Sequence, residues 1–147
     1  MPKLLPPVYF LAALALAVLA SFLFPLPVLI PPAARIAGLL PMVAGIALNL
    51  AADRQFKHRG TTVKLFQTSS ALITDGVFRW SRNPMYLGMV LIVAGVAQLE
   101  GTAVAWMAVA ALAVIFDQAF IRREENMLEE TFGAEFEAYM RRTRRRL

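Results

Sequence analysis

Apolar residues dominate four long stretches of the sequence, at residues 6–24, 33–52, 86–99 and 101–121. The second and fourth stretches approach the roughly 20 residues that an α-helix needs to cross the hydrocarbon core of a bilayer. The third is shorter, so we expect its helix to begin earlier, at Pro84, and to span 84–99. The pattern predicts an all-α integral membrane protein with about four transmembrane helices in a single domain.

Two polar regions complete the chain, a connection at residues 53–83 and a tail at residues 122–147. The connection is much longer than the roughly 2–8 residues that usually join two helices. It contains apolar residues to bury, so it is predicted to fold against the helix ends. Aromatic residues at helical spacing, Phe132, Phe136 and Tyr139, predict a helical tail that packs on the loop or on the bilayer surface.

The basic residues predict the orientation of these helices. If the two termini share a compartment, 14 of the 15 Lys and Arg residues fall on one side of the membrane, and Arg35 is the exception. The positive-inside rule makes that side the cytoplasm. Only short connections remain for the opposite side, so the working surface is predicted to be cytoplasmic. The basic residues adjoin the membrane, which favours lipid contact and not nucleic-acid binding.

The composition excludes several kinds of chemistry. The chain has no cysteine, so disulfides and thiolate nucleophiles are absent. His58 is the only histidine, which argues against a zinc site or a histidine-centred triad. We therefore predict no metal. Gly38, Gly45, Gly88 and Gly95 are candidates for close helix contacts, either between chains or within one chain, so the oligomeric state is left open.

The start of the third helix admits two interpretations. Asn83 followed by Pro84 is typical of a helix N-terminus, where the Asn side chain caps the helix and Tyr86 anchors it at the membrane interface. The functional interpretation uses the same geometry. Asn83 and Tyr86 are three residues apart and share a helix face, beside a helix N-terminus that attracts anions. A glycine one turn further, Gly88, would admit a ligand or a neighbouring helix.

Carboxylates at the end of the fourth helix form the second candidate group. Asp117 lies within the predicted span, where an ionisable side chain is costly and normally faces a cavity or a partner. Glu124 follows seven residues later, which places it on nearly the same face of a regular helix. The alternative is a solvated charge cluster beside the membrane, together with Arg122 and Arg123.

Taken together, these segments resemble the isoprenylcysteine carboxyl methyltransferase and phospholipid methyltransferase superfamily, and small prokaryotic members in particular. The resemblance covers roughly residues 60–140. It rests on LITDG at residues 72–76, FRWSRNPMYLG at residues 78–88, EE at residues 124–125, and FG at residues 132–133 followed by Tyr139. It implies a small helical membrane enzyme that uses S-adenosyl-L-methionine, with its cofactor pocket at the cytoplasmic face of the last two helices.

The resemblance also implies roles for individual residues. The cofactor-binding residues would be Ala71, Leu72, Ile73, Phe78, Asn83, Tyr86, Leu87, Glu124 and Glu125. Asn83 stands where the carboxyl methyltransferases have a histidine. Phe120 stands where they have a substrate-binding arginine, so a lipid amine, a hydroxyl or another amphiphile is as plausible an acceptor as a carboxylate.

The sequence thus predicts methyl transfer to a lipophilic acceptor that reaches the enzyme through the bilayer. A carboxylate acceptor needs no general base, whereas a protonated amine does, and Tyr86, Asp117 and Glu124 are the candidates. Two alternatives remain: a non-enzymatic membrane adaptor or lipid-binding subunit, and an NADPH-dependent membrane reductase. The sequence has no clear glycine fingerprint for a dinucleotide. The predicted location is the inner membrane of a prokaryotic cell, with several passes and both termini in the cytoplasm.

Overall fold

The computed structural model describes residues 5–23, 27–58 and 72–145 of the chain. Within these ranges the secondary structure is helical. The described residues contain no β-strand, and one isolated antiparallel bridge joins Val28 to Thr102. The prediction of an all-α membrane fold is confirmed.

Seven α-helices follow one another along the described chain. They are α1 (Pro6–Leu23), α2 (Pro32–Arg35), α3 (Leu39–His58), α4 (Pro84–Glu100), α5 (Ala103–Ile115), α6 (Arg122–Phe132) and α7 (Ala134–Arg142). A 3₁₀ turn at Ile36–Gly38 joins α2 to α3, and a π-helical segment at Phe116–Ile121 joins α5 to α6. A separate 3₁₀ helix, Gly76–Arg79, precedes α4.

Three continuous helical stretches are long and apolar enough to cross a membrane, namely Pro6–Leu23, Pro32–His58 and Ala103–Phe132, and α4 is a shorter apolar helix. The α3 helix continues six residues beyond the predicted end at residue 52. Lys57 pairs with Asp53 one turn earlier, at 2.6 Å, and Phe56 packs against buried residues of the loop. Hydropathy alone misses such an extension because its exposed face is polar.

Close backbone contact joins α3 to α4. A Cβ atom added at Gly95 would lie 2.5 Å from the carbonyl oxygen of Gly38, and one added at Gly88 would lie 2.8 Å from that of Gly45. Real Cβ atoms essentially never come that close to another heavy atom. The four glycines therefore pack against each other within one chain.

A tight turn connects α4 to α5 at the end of the bundle that has few charges. Gly101 ends α4 in the left-handed conformation, with φ of 72°, and its N–H donates to the carbonyl of Ala97. Glycine adopts this conformation without a steric penalty. Thr102 then caps α5 by accepting a hydrogen bond from the N–H of Ala105 at 3.3 Å.

Most of the buried apolar residues belong to two clusters. The bundle cluster lies among α1, α4, α5 and the π-helical segment, and its members are Ala17, Tyr86, Val90, Val93, Ala97, Ala105, Ala108, Val109, Leu112, Phe116, Phe120 and Ile121. The loop cluster joins the end of α3, the loop before α4, and α7, and its members are Ala52, Ile73, Phe78, Phe136 and Tyr139. Large apolar side chains on the outer faces of α1 and α3 are exposed, as expected for helices that face lipid.

Candidate functional site

The two strongest sequence candidates meet at the junction of the two clusters. The hydroxyl of Tyr86, on the first turn of α4, donates a hydrogen bond of 2.7 Å to Oε1 of Glu124, on the first turn of α6. Tyr86 is buried and Glu124 is partly buried. The fold therefore brings together two residues that lie 38 positions apart in the sequence. Tyr86 occupies one carboxylate oxygen and leaves Oε2 for another partner.

Aromatic rings line one side of this pair. The ring of Phe116 lies 5.0 Å from that of Tyr86 and is steeply inclined to it, at 62°. Phe120 contacts both rings, and Tyr9 of α1 contacts Phe120 at 5.5 Å between centroids. A carboxylate beside aromatic rings favours a cationic ligand, because both the charge and the ring faces attract it.

The π-helical segment separates the two carboxylates that a regular helix would place on one face. It forms a wider turn at Phe116–Ile121, which contains Asp117 and ends before Glu124. Glu124 consequently contacts Tyr86, whereas Asp117 forms ion pairs with Arg122 at 2.8 Å and with Arg145 at 2.7 Å. Short π-helical segments occur frequently at functional sites. Whether Asp117 takes part in catalysis stays a prediction.

Asn83 occupies the N-cap position of α4, but its side chain makes no capping hydrogen bond. The interpretation of Asn83 as a side-chain cap is therefore wrong. Its backbone N–H donates to Oγ of Ser81 at 3.1 Å, and its side-chain Nδ2 is buried without a hydrogen-bond partner among the described residues. Leaving a buried donor unpaired costs about 1–3 kcal/mol. This amide is a donor available to a ligand at the same helix start as Tyr86.

A network of ion pairs surrounds Glu125, the other predicted carboxylate. Its side chain lies 3.4 Å from both Arg82 and Arg145, at Oε1 and Oε2 respectively. Arg145 also pairs with Asp117, so the end of the described tail is tied to two positions on the long helix. Direct contact of Glu125 with a cofactor stays a prediction, since arginines already neutralise it.

The remaining predicted residues lie on the loop and on α4. Ile73 and Phe78 belong to the loop cluster, Leu72 packs against that cluster, and Leu87 is partly buried on α4. Ala71 lies outside the described residues. The predicted cofactor-binding residues that the structure describes therefore lie in two places, at the loop cluster and near the Tyr86–Glu124 pair.

A hydrogen bond fixes the loop to the tail. The hydroxyl of Tyr139 donates to the carbonyl of Phe78 at 2.6 Å. Burial raises the pKa of Tyr139 to about 12, with a smaller opposing effect from Arg82. The hydroxyl consequently keeps its proton at neutral pH and remains a donor. This bond holds Phe78 and the loop in place beside the start of α4.

Sequence reasoning missed three contributors to the site. Ser81 is almost fully buried and accepts from the backbone of Asn83, Phe116 forms the ring wall, and Arg145 joins the two acidic positions. The one usable signal was the position of Ser81 within the motif at residues 78–88. Within the described ranges, no group of three or more His, Asp or Glu side chains could hold a metal ion.

Comparison with known proteins assigns most of the chain to one family model. The model described as phospholipid methyltransferase matches residues 33–135, which is more than two thirds of the sequence. The chain is also 36% identical, over 61 residues, to an uncharacterised protein of Haemophilus influenzae, and the match covers 42% of this chain and 97% of that protein. No solved structure matches the chain.

Proposed function

This chain belongs to the phospholipid methyltransferase family, and we propose from that premise that it transfers a methyl group from S-adenosyl-L-methionine to a lipophilic, membrane-borne acceptor. The observation that carries the proposal is the Tyr86–Glu124 hydrogen bond beside the rings of Phe116 and Phe120. It places a carboxylate and aromatic rings where α4 and α6 begin, at the end of the bundle that bears the basic residues.

The side chains present fit the proposed cofactor. S-adenosylmethionine, when bound, supplies a methyl group that a positively charged sulfonium activates. Glu124 and the aromatic rings would attract that charge, and the unpaired amide of Asn83 would donate to one of the cofactor's many acceptors. Leu72, Ile73, Phe78 and Leu87 would form the apolar wall implied by the resemblance.

The chain's own residues would bind, orient and exclude water. The Tyr86 hydroxyl fixes the Glu124 carboxylate, so that its charge is already oriented when a ligand arrives. Preorganised charge of this kind is effective because no rearrangement is needed during the reaction. The buried rings beside it keep water away, which strengthens the electrostatic attraction.

Glu124 is our choice for the proton acceptor if the methyl acceptor is an amine or a hydroxyl. Its Oε2 is left for a further partner, whereas Asp117 forms two ion pairs that protonation would weaken. The Tyr86 hydroxyl donates a hydrogen bond to Glu124 and is therefore less suited to accept a proton. A carboxylate acceptor would need none of these groups.

Phe120 bears on the choice of acceptor. It is fully buried and its ring packs between those of Tyr9 and Tyr86, at the position where the carboxyl methyltransferases have a substrate-binding arginine. An apolar ring there cannot pair with a substrate carboxylate. We therefore favour a lipid amine or hydroxyl that enters laterally from the bilayer.

We further propose that this end of the bundle lies in the cytoplasm, with both termini there, and that the membrane is the inner membrane of a prokaryotic cell. The support is the charge distribution along the sequence: if the two termini share a compartment, 14 of the 15 Lys and Arg residues are predicted to fall on one side.

The proposal can be tested by following methyl transfer into lipid. Detergent-purified protein, supplied with methyl-labelled S-adenosylmethionine and a bacterial lipid extract, should incorporate label into the organic phase. Glu124→Ala should reduce the rate by about 100-fold or more, because it removes both charge and proton acceptor. Glu130→Ala, which removes an exposed carboxylate from the same helix, is the matched control and should retain activity. Absence of labelled lipid, or full activity in Glu124→Ala, would contradict the proposal.

A further inference from the structure

A cationic cleft lies outside the Tyr86–Glu124 site, between the 3₁₀ helix before α4 and the chain that follows α7. It has a volume of about 270 Å³ and is lined by Arg79, Trp80, Arg142 and Arg144. None of these residues contributes to the hydrogen bond, ring contacts or ion pairs of the candidate site. The cleft is therefore a separate feature of the same end of the bundle.

The described residues do not balance the positive charge of this cleft. In the part of the chain that the structure describes, no carboxylate pairs with Arg79, Arg142 or Arg144. Arg142 donates from Nε to the carbonyl of Ala138 at 3.2 Å, which leaves its terminal amino groups for other partners. The neighbouring Arg145, in contrast, pairs with Asp117 and Glu125.

Other contacts hold these like charges together. Thr143, between two of the cleft arginines, is buried, and the Tyr139 hydroxyl binds the Phe78 carbonyl next to Arg79. The ion pairs of Arg145 fix the chain directly after Arg144. Three guanidinium groups held near one another repel, so an anion between them would lower the energy of the tail.

Trp80 indicates where that anion comes from. Its side chain is 74% exposed, although the adjacent Ser81 and the nearby Phe78 are buried. An exposed indole at the end of a membrane-spanning bundle is typical of the headgroup layer, where its ring contacts acyl chains and its N–H contacts polar groups. A cleft that combines such an indole with arginines suits a phosphate that belongs to a lipid.

We propose that this cleft binds the phosphate of an anionic phospholipid from the adjacent leaflet. Arginine forks bind phosphate through paired N–H donors, and Trp80 would lie beside the acyl chains of the same lipid. The bound lipid is a structural ligand that is distinct from the methyl acceptor. The lipid would fix Arg142 and Arg144. It would thereby also fix the following segment, in which Arg145 pairs with Asp117 and Glu125.

Fluorescence of Trp80 provides the test. The chain has two tryptophans, so Trp106→Phe leaves Trp80 as the only indole while keeping an aromatic ring on α5. This protein is reconstituted into phosphatidylcholine vesicles in two series. One series contains increasing fractions of brominated phosphatidylglycerol and the other contains increasing fractions of brominated phosphatidylcholine. Both lipids carry the bromine near the headgroup end of the acyl chains. Brominated phosphatidylglycerol should reach half-maximal quenching of the Trp80 fluorescence at a several-fold lower mole fraction than brominated phosphatidylcholine does. Equal quenching by both lipids would overturn the proposal.

Substitutions of the cleft arginines test whether the preference for phosphatidylglycerol depends on the cleft. Replacing Arg79, Arg142 and Arg144 together by glutamine should abolish the preference for phosphatidylglycerol. The matched control replaces Arg54, Arg123 and Arg141, three exposed arginines at the same end, and should retain the preference. If both triple variants lost the preference equally, the preference would come from the general surface charge, and its assignment to the cleft would be overturned. The lipid comparison with the intact cleft remains decisive if the triple variant does not fold.

Soluble competitors separate this site from the other anion sources. Neither inorganic phosphate nor S-adenosylhomocysteine, at millimolar concentration, should reduce quenching by brominated phosphatidylglycerol more than sodium chloride of the same ionic strength does. Displacement by phosphate would assign the cleft to a soluble anion, and displacement by S-adenosylhomocysteine would assign it to the cofactor. Either result would overturn the proposal, whereas failure of the methyltransferase activity would leave it standing.

Discussion

At the scale of single residues, the Tyr86–Glu124 pair carries most of the proposed chemistry. The hydroxyl of Tyr86 reaches Glu124 at 2.7 Å, and the ring of Tyr86 packs on Phe116. The ring and the hydroxyl therefore have separable functions, since one packs the core and the other orients a carboxylate. A substitution that removes the oxygen alone can distinguish them.

Tyr86→Phe should lower the affinity for S-adenosylmethionine by about tenfold or more, because the Tyr86 hydroxyl orients the carboxylate that would attract the sulfonium, and a hydrogen bond to a charged group contributes about 1.5–3 kcal/mol. The aromatic packing should survive, so the thermal unfolding temperature in detergent should change little. Tyr9→Phe is the matched control, since Tyr9 belongs to the same ring wall and makes no hydrogen bond to the described residues. Isothermal titration calorimetry of both variants measures the effect. Equal affinities in the two variants would remove the orienting role of Tyr86.

The sequence identified Tyr86 and Glu124, but the motif resemblance and not their spacing supplied the link between them. Their contact spans 38 positions and depends on the fold, which brings the start of α4 next to the start of α6. Whether the side-chain amide of Asn83 is hydrogen-bonded could not be predicted from the sequence. The sequence Asn-Pro at a helix start is typical of a side-chain cap, and only the fold shows that the amide nitrogen is buried and unpaired.

At the scale of helices, the approach of α3 to α4 depends on four glycines without side chains. Carbonyl oxygens of one helix occupy the space that Cβ atoms of the other would need. Packing of this closeness tolerates no added volume, because both neighbours are backbone. The contact positions the start of α4, and with it Asn83 and Tyr86.

Gly45→Leu should therefore destabilise the protein by about 1–3 kcal/mol or more, as overpacking does, and should lower the thermal unfolding temperature in detergent. Ala47→Leu makes a comparable change on an exposed face of the same helix and should have little effect. Thermal unfolding monitored by circular dichroism compares them. An equal response to both substitutions would argue against the close contact between α3 and α4.

The π-helical segment shows why local pattern could not give the geometry of the last long helix. Seven residues separate Asp117 from Glu124, which predicts a shared face in a regular α-helix. The wider turn at Phe116–Ile121 changes that register, so that one carboxylate contacts Tyr86 and the other contacts arginines. Hydropathy still indicates an apolar helix in this region because a single wider turn leaves the composition unchanged, but the continuous helix extends beyond the predicted end at residue 121, from Ala103 to Phe132.

At the scale of the whole molecule, charge and hydropathy together predicted the architecture. Among the described residues, Arg79 and Arg82 before α4 and the arginines of the tail lie at one end of the bundle, while the opposite end has the short turn at Gly101. Charge and hydropathy left open whether the tail packs on the loop or on the bilayer surface. The loop cluster decides this, because Phe136 of the tail packs with Ile73 and Phe78 of the loop, residues that are far apart in sequence.

The orientation across the membrane can be measured directly because the chain has no native cysteine. Leu29→Cys introduces a thiol at an exposed position of the end with few charges, and Arg141→Cys introduces one at the basic end. A membrane-impermeant maleimide should label Leu29→Cys in intact spheroplasts and Arg141→Cys only in inverted vesicles. The reverse pattern would place the proposed site outside the cytoplasm, away from cellular S-adenosylmethionine.

The identity of the cofactor is the central claim, and calorimetric titration of the detergent-purified protein tests it most directly. S-adenosylhomocysteine should bind saturably and NADPH should not. Glu124→Ala should abolish the binding of S-adenosylmethionine, whose sulfonium charge Glu124 would attract, and Glu130→Ala should retain it. Binding of neither compound to folded protein would contradict the methyltransferase account and favour a membrane adaptor, and binding of NADPH alone would favour a reductase.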